Sequence, residues 1–312
     1  MKQMPQYSLS PNNLPYQGTI GDCQRHAMQY ESWNTSLPSH PCMDDRVHDK
    51  IARIHLPVAP KCNIRCLYCE RKYSSPKSLM PGPGTAARII SPQEALRKTG
   101  AFLEQWGAES IVGIAGPGDP LANQETFETL RLIRNRHPTV RLCLCTNGLN
   151  LPDSLSTLKQ LNVQHLTVTI NGVKPDIVAR IQPRVRKGRQ CLGGKDGAEL
   201  LIRNQLEGLE RAAALGMFVK VNTVVVPEIN GQHVETIART VADLGACVYN
   251  PMPLIPRGSF KHMTRPSHGF MKELRKRCGS ILPVFSKCKQ CRADAAGIPG
   301  KELSSCKMVV TA

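Results

Sequence analysis

At 312 residues, 41% hydrophobic, 4% aromatic and a formal charge of +17, the chain is large enough for one α/β domain with a substantial core. No run approaches the roughly 18 apolar residues of a membrane span, and the opening MKQMPQYSLSPNNLPYQG lacks the apolar core of a secretory signal, so a cytoplasmic protein without a membrane partner is expected. Its thirteen cysteines then read as metal ligands or chemistry rather than a disulfide framework.

Residues 1–40 are rich in Pro, Asn, Gln and Ser, with little periodicity, and are expected to be a poorly ordered extension. Residues 54–73, IHLPVAPKCNIRCLYCERKY, open as a β-leaning run, stop at Pro60 and deliver Cys62, Cys66 and Cys69. From there the pattern is strand, loop, helix, repeated. Ser91 with Pro92 starts a helix to about Trp106. Strand 111–115 ends in GPGDP, helix 124–136 leads to strand 140–145 ending in TNG, and helix 153–160 leads to strand 165–170 ending in Asn171 and Gly172. A short helix over 175–181, a basic glycine-rich loop over 185–197, and a helix over 198–214 with a mostly apolar face follow. Strand 217–226, helix 233–244, strand 247–252 and a last helix over 267–277 complete about six βα units. The strands read as near-continuously apolar, which argues for a parallel sheet covered by helices.

The polar and glycine-rich tips all lie at strand C-termini. One site built from all of them is easier in a curled barrel than in a split open sheet. The expected fold is therefore α/β, a partial (β/α)6 TIM-like barrel over 41–280 with irregular extensions, the last being a cluster-binding tail over 281–312.

Three cysteines spaced C-x3-C-x2-C after a strand can converge on one iron–sulfur cluster and leave one iron open; a zinc site with a distant fourth ligand is the alternative. CKQC, with Cys288 and Cys291, is a second metal-binding spacing that needs ligands from elsewhere. HPC (His40, Pro41, Cys42) and LCLC (Cys143, Cys145) are the available complement, against readings as a surface loop and as small buried hydrophobes. The basic runs Arg184, Arg186, Lys187, Arg189 and Arg275, Lys276, Arg277 carry no aromatics to stack bases. They read as surface and partner electrostatics rather than nucleic-acid binding.

With Tyr68 before its third cysteine, the triad resembles the radical S-adenosylmethionine (SAM) superfamily. The resemblance implies the partial barrel and a catalytic 4Fe–4S cluster on Cys62, Cys66 and Cys69, whose open iron chelates SAM. GIAGPGDP corresponds to the superfamily's glycine-rich SAM segment, whose freed backbone groups can meet the methionine end. Thr169, Asn171 and Asn222 would line the mouth near the SAM ribose and carboxylate, and Tyr68, Gly116, Asp119, Asn147 and Val226 complete the expected SAM contacts.

The order HPC, VAPKCNIRCLYCERKY, GIAGPGDPLAN, LCLCTNGL, TVTIN, LIRNQLEGLERAAALGMFVKVN, MPLIP and CKQCRADAAG, over about residues 40–300, is similar to the NifB family of nitrogenase-cofactor maturases. This implies two further 4Fe–4S clusters as substrates, fused with a SAM-derived carbide and a sulfur into an 8Fe core. Cys288 and Cys291 with a histidine, His26 or His40, would hold one; Cys42 and Cys143 would hold the other, with Cys145 competing. Arg292 and Asp294 would tune the leaving cluster. Implied partners are an iron–sulfur cluster donor, an electron donor such as a ferredoxin or flavodoxin, and carrier or scaffold proteins of nitrogenase assembly. One departure stands out: residues 74–82 carry no Cys, Asp, Glu or Arg, where the family has an acidic, cysteine-bearing stretch.

Overall fold

Six parallel strands follow one another in sequence order, which is the topology of a sheet curling toward a barrel. They are β1 (Arg53–His55), β3 (Ile111–Ile114), β4 (Arg141–Thr146), β5 (Val163–Thr169), β8 (Phe218–Val225) and β9 (Val248–Pro253). The helices between them are α1 (Pro92–Trp106), α2 (Gln124–Arg136), α3 (Leu151–Gln160), α4 (Pro175–Ile181), α5 (Gly194–Ala214) and α6 (Val234–Asp243), and α7 (His268–Gly279) follows β9. The computed structural model describes residues 40–73 and 82–302, within the unit Ser39–Ala312. The disorder expected over 1–40 lies outside the described residues except at His40, which is buried; the candidate ligand His26 and the atypical stretch apart from Gly82 also lie outside them.

Local chemistry sets the helix positions. The Ser91 hydroxyl accepts from the Glu94 amide at 3.1 Å, as an N-cap should. Ala95, Thr99 and Phe102 then form a buried stripe on α1 at helical spacing.

The strands differ from the near-continuous apolar reading. One face of each packs on the helices: Ile54, Val112, Ile114, Leu142, Leu144, Leu166, Val168, Val219 and Val221 all belong to the main core. The other face is polar. Parallel register puts His55 beside Gly113, Gly113 beside Cys143 and Cys143 beside His165; the next row runs Cys145, Thr167, Lys220, and the next Thr169, Asn222, Asn250. The period of two assigns alternate residues to opposite faces, so thiols, imidazoles and a lysine line the inside of the barrel.

Two further segments depart from expectation. The basic loop expected over 185–197 is instead a hairpin of β6 (Arg184–Lys187) and β7 (Gln190–Gly193) turning at Gly188, φ +59°, followed by the first turn of α5. A two-residue turn with glycine in the left-handed region closes such a hairpin. It pairs with β2 (Ile64–Arg65) in a small second sheet, and Val185 points into a core with Ile64 and Leu201 while the arginines point out.

The C-terminal segment is built into the sheet. The Tyr249 amide donates to Pro283 and the Phe285 amide to Tyr249, extending the β9 edge. Farther along, β10 (Ala296–Ile298) pairs antiparallel with β1, and β11 (Lys301–Glu302) pairs with β10. Residues 286–295 therefore cross from one open edge of the six-stranded sheet to the other, and CKQC lies on the crossing. HPC is interior as well, not a surface loop: His40 is 3% exposed, and Asp45 accepts from the Ser286 amide and hydroxyl, tying the two segments together.

The strand tips are locked to one another. The amides of Gly118 and Asp119 donate to the carbonyls of Ala59 and Lys61, so those two backbone groups anchor the cysteine loop rather than standing free for a ligand. Asp119, buried, accepts from the Leu121 amide at 2.9 Å, the Thr146 hydroxyl at 2.9 Å and the Asn147 amide at 2.6 Å. Desolvation raises its carboxyl from the usual 3.8 to about 6 against those hydrogen bonds.

Two outcomes follow from this lock. In Gly118→Ala, a Cβ would overlap the Lys61 carbonyl. Forcing backbone apart costs about 3 kcal/mol, so the melting temperature should fall by several degrees; an unchanged melting curve contradicts the lock. The folded carboxyl of Asp119 keeps its proton to higher pH than the unfolded one. Its contribution to stability is therefore lost as pH rises from about 4 to about 6. The difference between parent and Asp119→Asn in denaturant titrations should vary across that window, and a pH-independent difference would rule the assignment out.

Candidate functional site

Two groups of thiols occupy the barrel. The first is at the mouth, where the loop after β1 brings Cys62, Cys66 and Cys69 to the wall of one cavity of about 530 Å³, shared with Arg65, Arg71, Arg184 and Arg186. Burial pushes the Cys62 thiol up to about 11, helped by Asp119, and raises Cys66 and Cys69 too. Apo thiols here are neutral, and a metal must displace their protons.

Donors aim at the sulfurs. Gln182 Nε2 stands 3.5 Å from Cys66 Sγ and Asn147 Nδ2 stands 3.8 Å from Cys62 Sγ, while the Tyr68 hydroxyl is hydrogen-bonded to the Cys66 sulfur. Asn171 Nδ2 donates to the Tyr68 hydroxyl at 2.9 Å and so fixes that phenol. Among the described residues no three His, Cys, Asp or Glu side chains are close enough to hold a single metal ion. The three thiols surround a space rather than a point. Three thiols, donors to sulfur and four cationic side chains around such a space fit an anionic thiolate-bound cluster with room for a ligand beside it.

The expected SAM contacts separate into groups. Asn147 and Tyr68 touch the cysteine site directly. Gly116, at φ +135°, begins the strip locked to the cysteine loop. The carboxylate of Asp119 is occupied by its three donors. Asn171 also accepts from the Val224 amide and the Asn230 side chain, so it positions Tyr68. Asn222 accepts from Asn250 Nδ2, and the Thr169 carbonyl accepts from Gln205. Val226 is fully buried and gives its amide to Asn230; it shapes the wall and offers no polar group.

The second group lies inside. Cys143 and Cys145 share the inner face of β4, and Cys42, Cys288 and Cys291 join them from the HPC segment and the C-terminal crossing. Cys42 feels Cys291 and Cys288, and Cys145 feels Cys288 and Cys42. Burial raises Cys42 and Cys145 to about 11 and raises Cys143 further, with repulsion from Cys42 and Cys145. Two cations oppose this. Lys220, 4% exposed, donates to the Cys42 carbonyl at 2.7 Å, and Arg53 donates to Cys291 Sγ at 3.1 Å. A Cβ at Gly113 would meet Cys143 Sγ at 2.9 Å and His55 at 3.5 Å; glycine leaves their space open.

The histidine assignment changes with the hydrogen bonds. His40 Nδ1 accepts from the Cys42 amide at 3.0 Å, which in the neutral ring leaves the proton on Nε2. That nitrogen is buried with no hydrogen-bond partner among the described residues, and it presents a donor rather than a lone pair. His55, which motif reading missed, does the reverse. Its Nδ1 donates to the Arg292 carbonyl at 3.0 Å, leaving the Nε2 lone pair free, and burial followed by Arg53 lowers its pKa to about 4. A neutral imidazole oriented by a backbone carbonyl is the usual metal-ligand arrangement. Its sequence signal was the alternation Arg53, Ile54, His55 on one strand. Arg292 and Asp294 bind one another at 2.8 Å, and Asp294 accepts from the Ala87 amide, so the pair braces the crossing.

Comparison with known proteins agrees with the geometry. Residues 56–241 match the Radical SAM superfamily. The chain is 42% identical to the FeMo cofactor biosynthesis protein NifB of Methanocaldococcus infernus, over 86% of this chain and 88% of that protein. It is 37% identical to the NifB of Azotobacter vinelandii over 87% of this chain but 55% of that longer protein. Among solved structures, Streptococcus suis SuiB superposes with a TM-score of 0.55 at 11% identity, covering 86% of this chain and 54% of that one. The AdoMet-bound anSMEcpe gives 0.53 at 16% identity, covering 75% and 63%; at such identity these show the fold alone. With its cysteine triad at the mouth of a partial barrel and its sequence kinship over most of its length, the chain belongs to the NifB family of the radical SAM superfamily.

Proposed function

We propose that this radical SAM enzyme acts in FeMo-cofactor biosynthesis by joining two 4Fe–4S units into an 8Fe core, with a SAM-derived carbide and an added sulfur. The observation that carries the reading is the second thiol group: five cysteines, a neutral His55 and two buried cations inside the same barrel that holds the triad at its mouth. A radical SAM enzyme without auxiliary or substrate clusters has no need of them; carbon transfer to a cluster separates this reading from another radical SAM maturase with auxiliary iron–sulfur clusters.

When bound by Cys62, Cys66 and Cys69, the catalytic cluster and SAM supply one electron and a carbon-centred radical, with a methyl carbon from a further SAM. The chain's own residues prepare the place. Tyr68 and Gln182 donate to the Cys66 thiolate and Asn147 to Cys62, which steadies their negative charge. The buried inner face keeps water from a reactive species. Cys288, Cys291 and His55 would hold one substrate cluster, and Cys42 and Cys143, with Cys145 beside them, the other. Five thiols and one imidazole cannot saturate two cubanes, so irons stay open for fusion and release. Lys220 and Arg53 offset the charge of thiolates and clusters where water is scarce. His40, through Nε2–H, would donate toward the substrate rather than ligate it. A cluster donor, an electron donor and an acceptor for the product complete the set of partners.

Replacing Cys62, Cys66 and Cys69 with Ala should remove about four irons per chain and abolish 5′-deoxyadenosine formation on anaerobic assay; surviving SAM cleavage would overturn the triad assignment. His55→Ala should match Cys288→Ala with Cys291→Ala, each lowering reconstituted iron by roughly one further cubane while SAM binding persists. His40→Ala should retain that iron. If the two histidine variants exchange behaviour, the lone-pair argument is wrong.

A further inference from the structure

The basic hairpin beside the cysteine pocket carries more charge than its packing in the fold explains. Arg65, Arg71, Arg184, Arg186 and Arg189 are all exposed, and none forms an ion pair with another described residue. Their neighbours are otherwise matched: Lys187 pairs with Asp153, Lys195 with Asp176, and Lys72 with Glu70. Arg65 lies directly opposite Arg184 across the β2–β6 pair, a like-charge juxtaposition that weakens a sheet. The hairpin owes its stability to Val185, which is fully buried; the guanidiniums contribute repulsion. Four of these arginines line the cavity of the triad, and of the three cysteines Cys69 has the most exposed residue surface. This is therefore where the triad comes nearest the outside.

We propose that the arginine face formed by β2, β6 and the loop through Arg71 docks an acidic, small iron–sulfur protein that delivers the electron to the triad site. The inference rests on the reading that Cys62, Cys66 and Cys69 hold the catalytic cluster. An electron must reach that cluster by close approach, and the exposed side of Cys69 offers it. A ring of unmatched positive charge steers and orients an oppositely charged partner, and redox encounters use small, weakly bound interfaces of this kind. The hairpin carries no aromatic residue on which nucleic-acid bases could stack.

The test uses the iron-loaded enzyme under anaerobic conditions and an acidic 2[4Fe–4S] ferredoxin as probe. Binding is measured by calorimetry over a range of salt, for the parent, for Arg186→Glu with Arg189→Glu, and for a control, Lys272→Glu with Lys276→Glu. The control makes the same charge change on exposed positions of α7. The hairpin variant should bind ferredoxin about tenfold more weakly at low salt, with the difference closing at high salt; the control should stay within about twofold. Equal losses in both variants would reduce the effect to net charge and overturn the docking face. So would loss of SAM affinity with ferredoxin affinity intact, which would assign the arginines to SAM. Binding is read without turnover. Intact, hairpin-dependent binding in an enzyme that cannot cleave SAM with dithionite would therefore retain the docking face and count against the triad reading instead.

Discussion

The whole structure depends on an inner barrel face made of thiols, imidazoles and a lysine where a closed eight-stranded (β/α) barrel carries hydrocarbon. Burying such groups without partners opposes folding, and each neighbouring element answers that problem. Arg53 and Lys220 counter the thiols, Gly113 leaves space for Cys143 and His55, and the helix-facing residues Ile54, Leu142, Leu144 and Val219 supply the apolar burial that the inner face does not. An interior organised this way is suited to hold an anionic, polarizable guest.

Closure of the barrel follows from the same requirement. Six strands leave two open edges, and the C-terminal segment joins them, pairing beside Tyr249 at one edge and along Arg53 and Ile54 at the other. Cys288 and Cys291 are carried on that crossing, and the HPC segment is tied to it through Asp45. Ligand segments and closing segments are thus the same chain, which couples occupancy of the interior to the integrity of the fold.

Preorganisation at the mouth comes from hydrogen bonds between strand tips. Asp119 links β3 to β4, and the Gly118 and Asp119 amides link that tip to the cysteine loop. Asn171 links β5 to β8 and to Tyr68, which in turn meets Cys66. Asp119 and Asn171, at strand tips, spend their side chains on holding this geometry. Groups fixed in advance need no reorganisation when charge develops nearby.

The sequence by itself determined much of this. The spacing of Cys62, Cys66 and Cys69, the order of the βα units, the Ser91 cap and the helix over 124–136 follow from local chemistry, because cysteine spacing and helix periodicity act within a few residues. Kinship with the NifB family was legible in the motif order for the same reason. Tertiary structure alone decided the rest. Which histidine keeps a free lone pair depends on the Arg292 carbonyl, 237 residues from His55. The roles of Asp119 and Asn171 depend on partners in other strands, and the closing function of the C-terminal segment depends on two edges that exist only once the sheet has formed. The polar inner face was present in the alternation RIH, CLC, HLT and KVN, but a period of two names two faces without saying which one the helices cover. That is settled only when the six strands lie side by side.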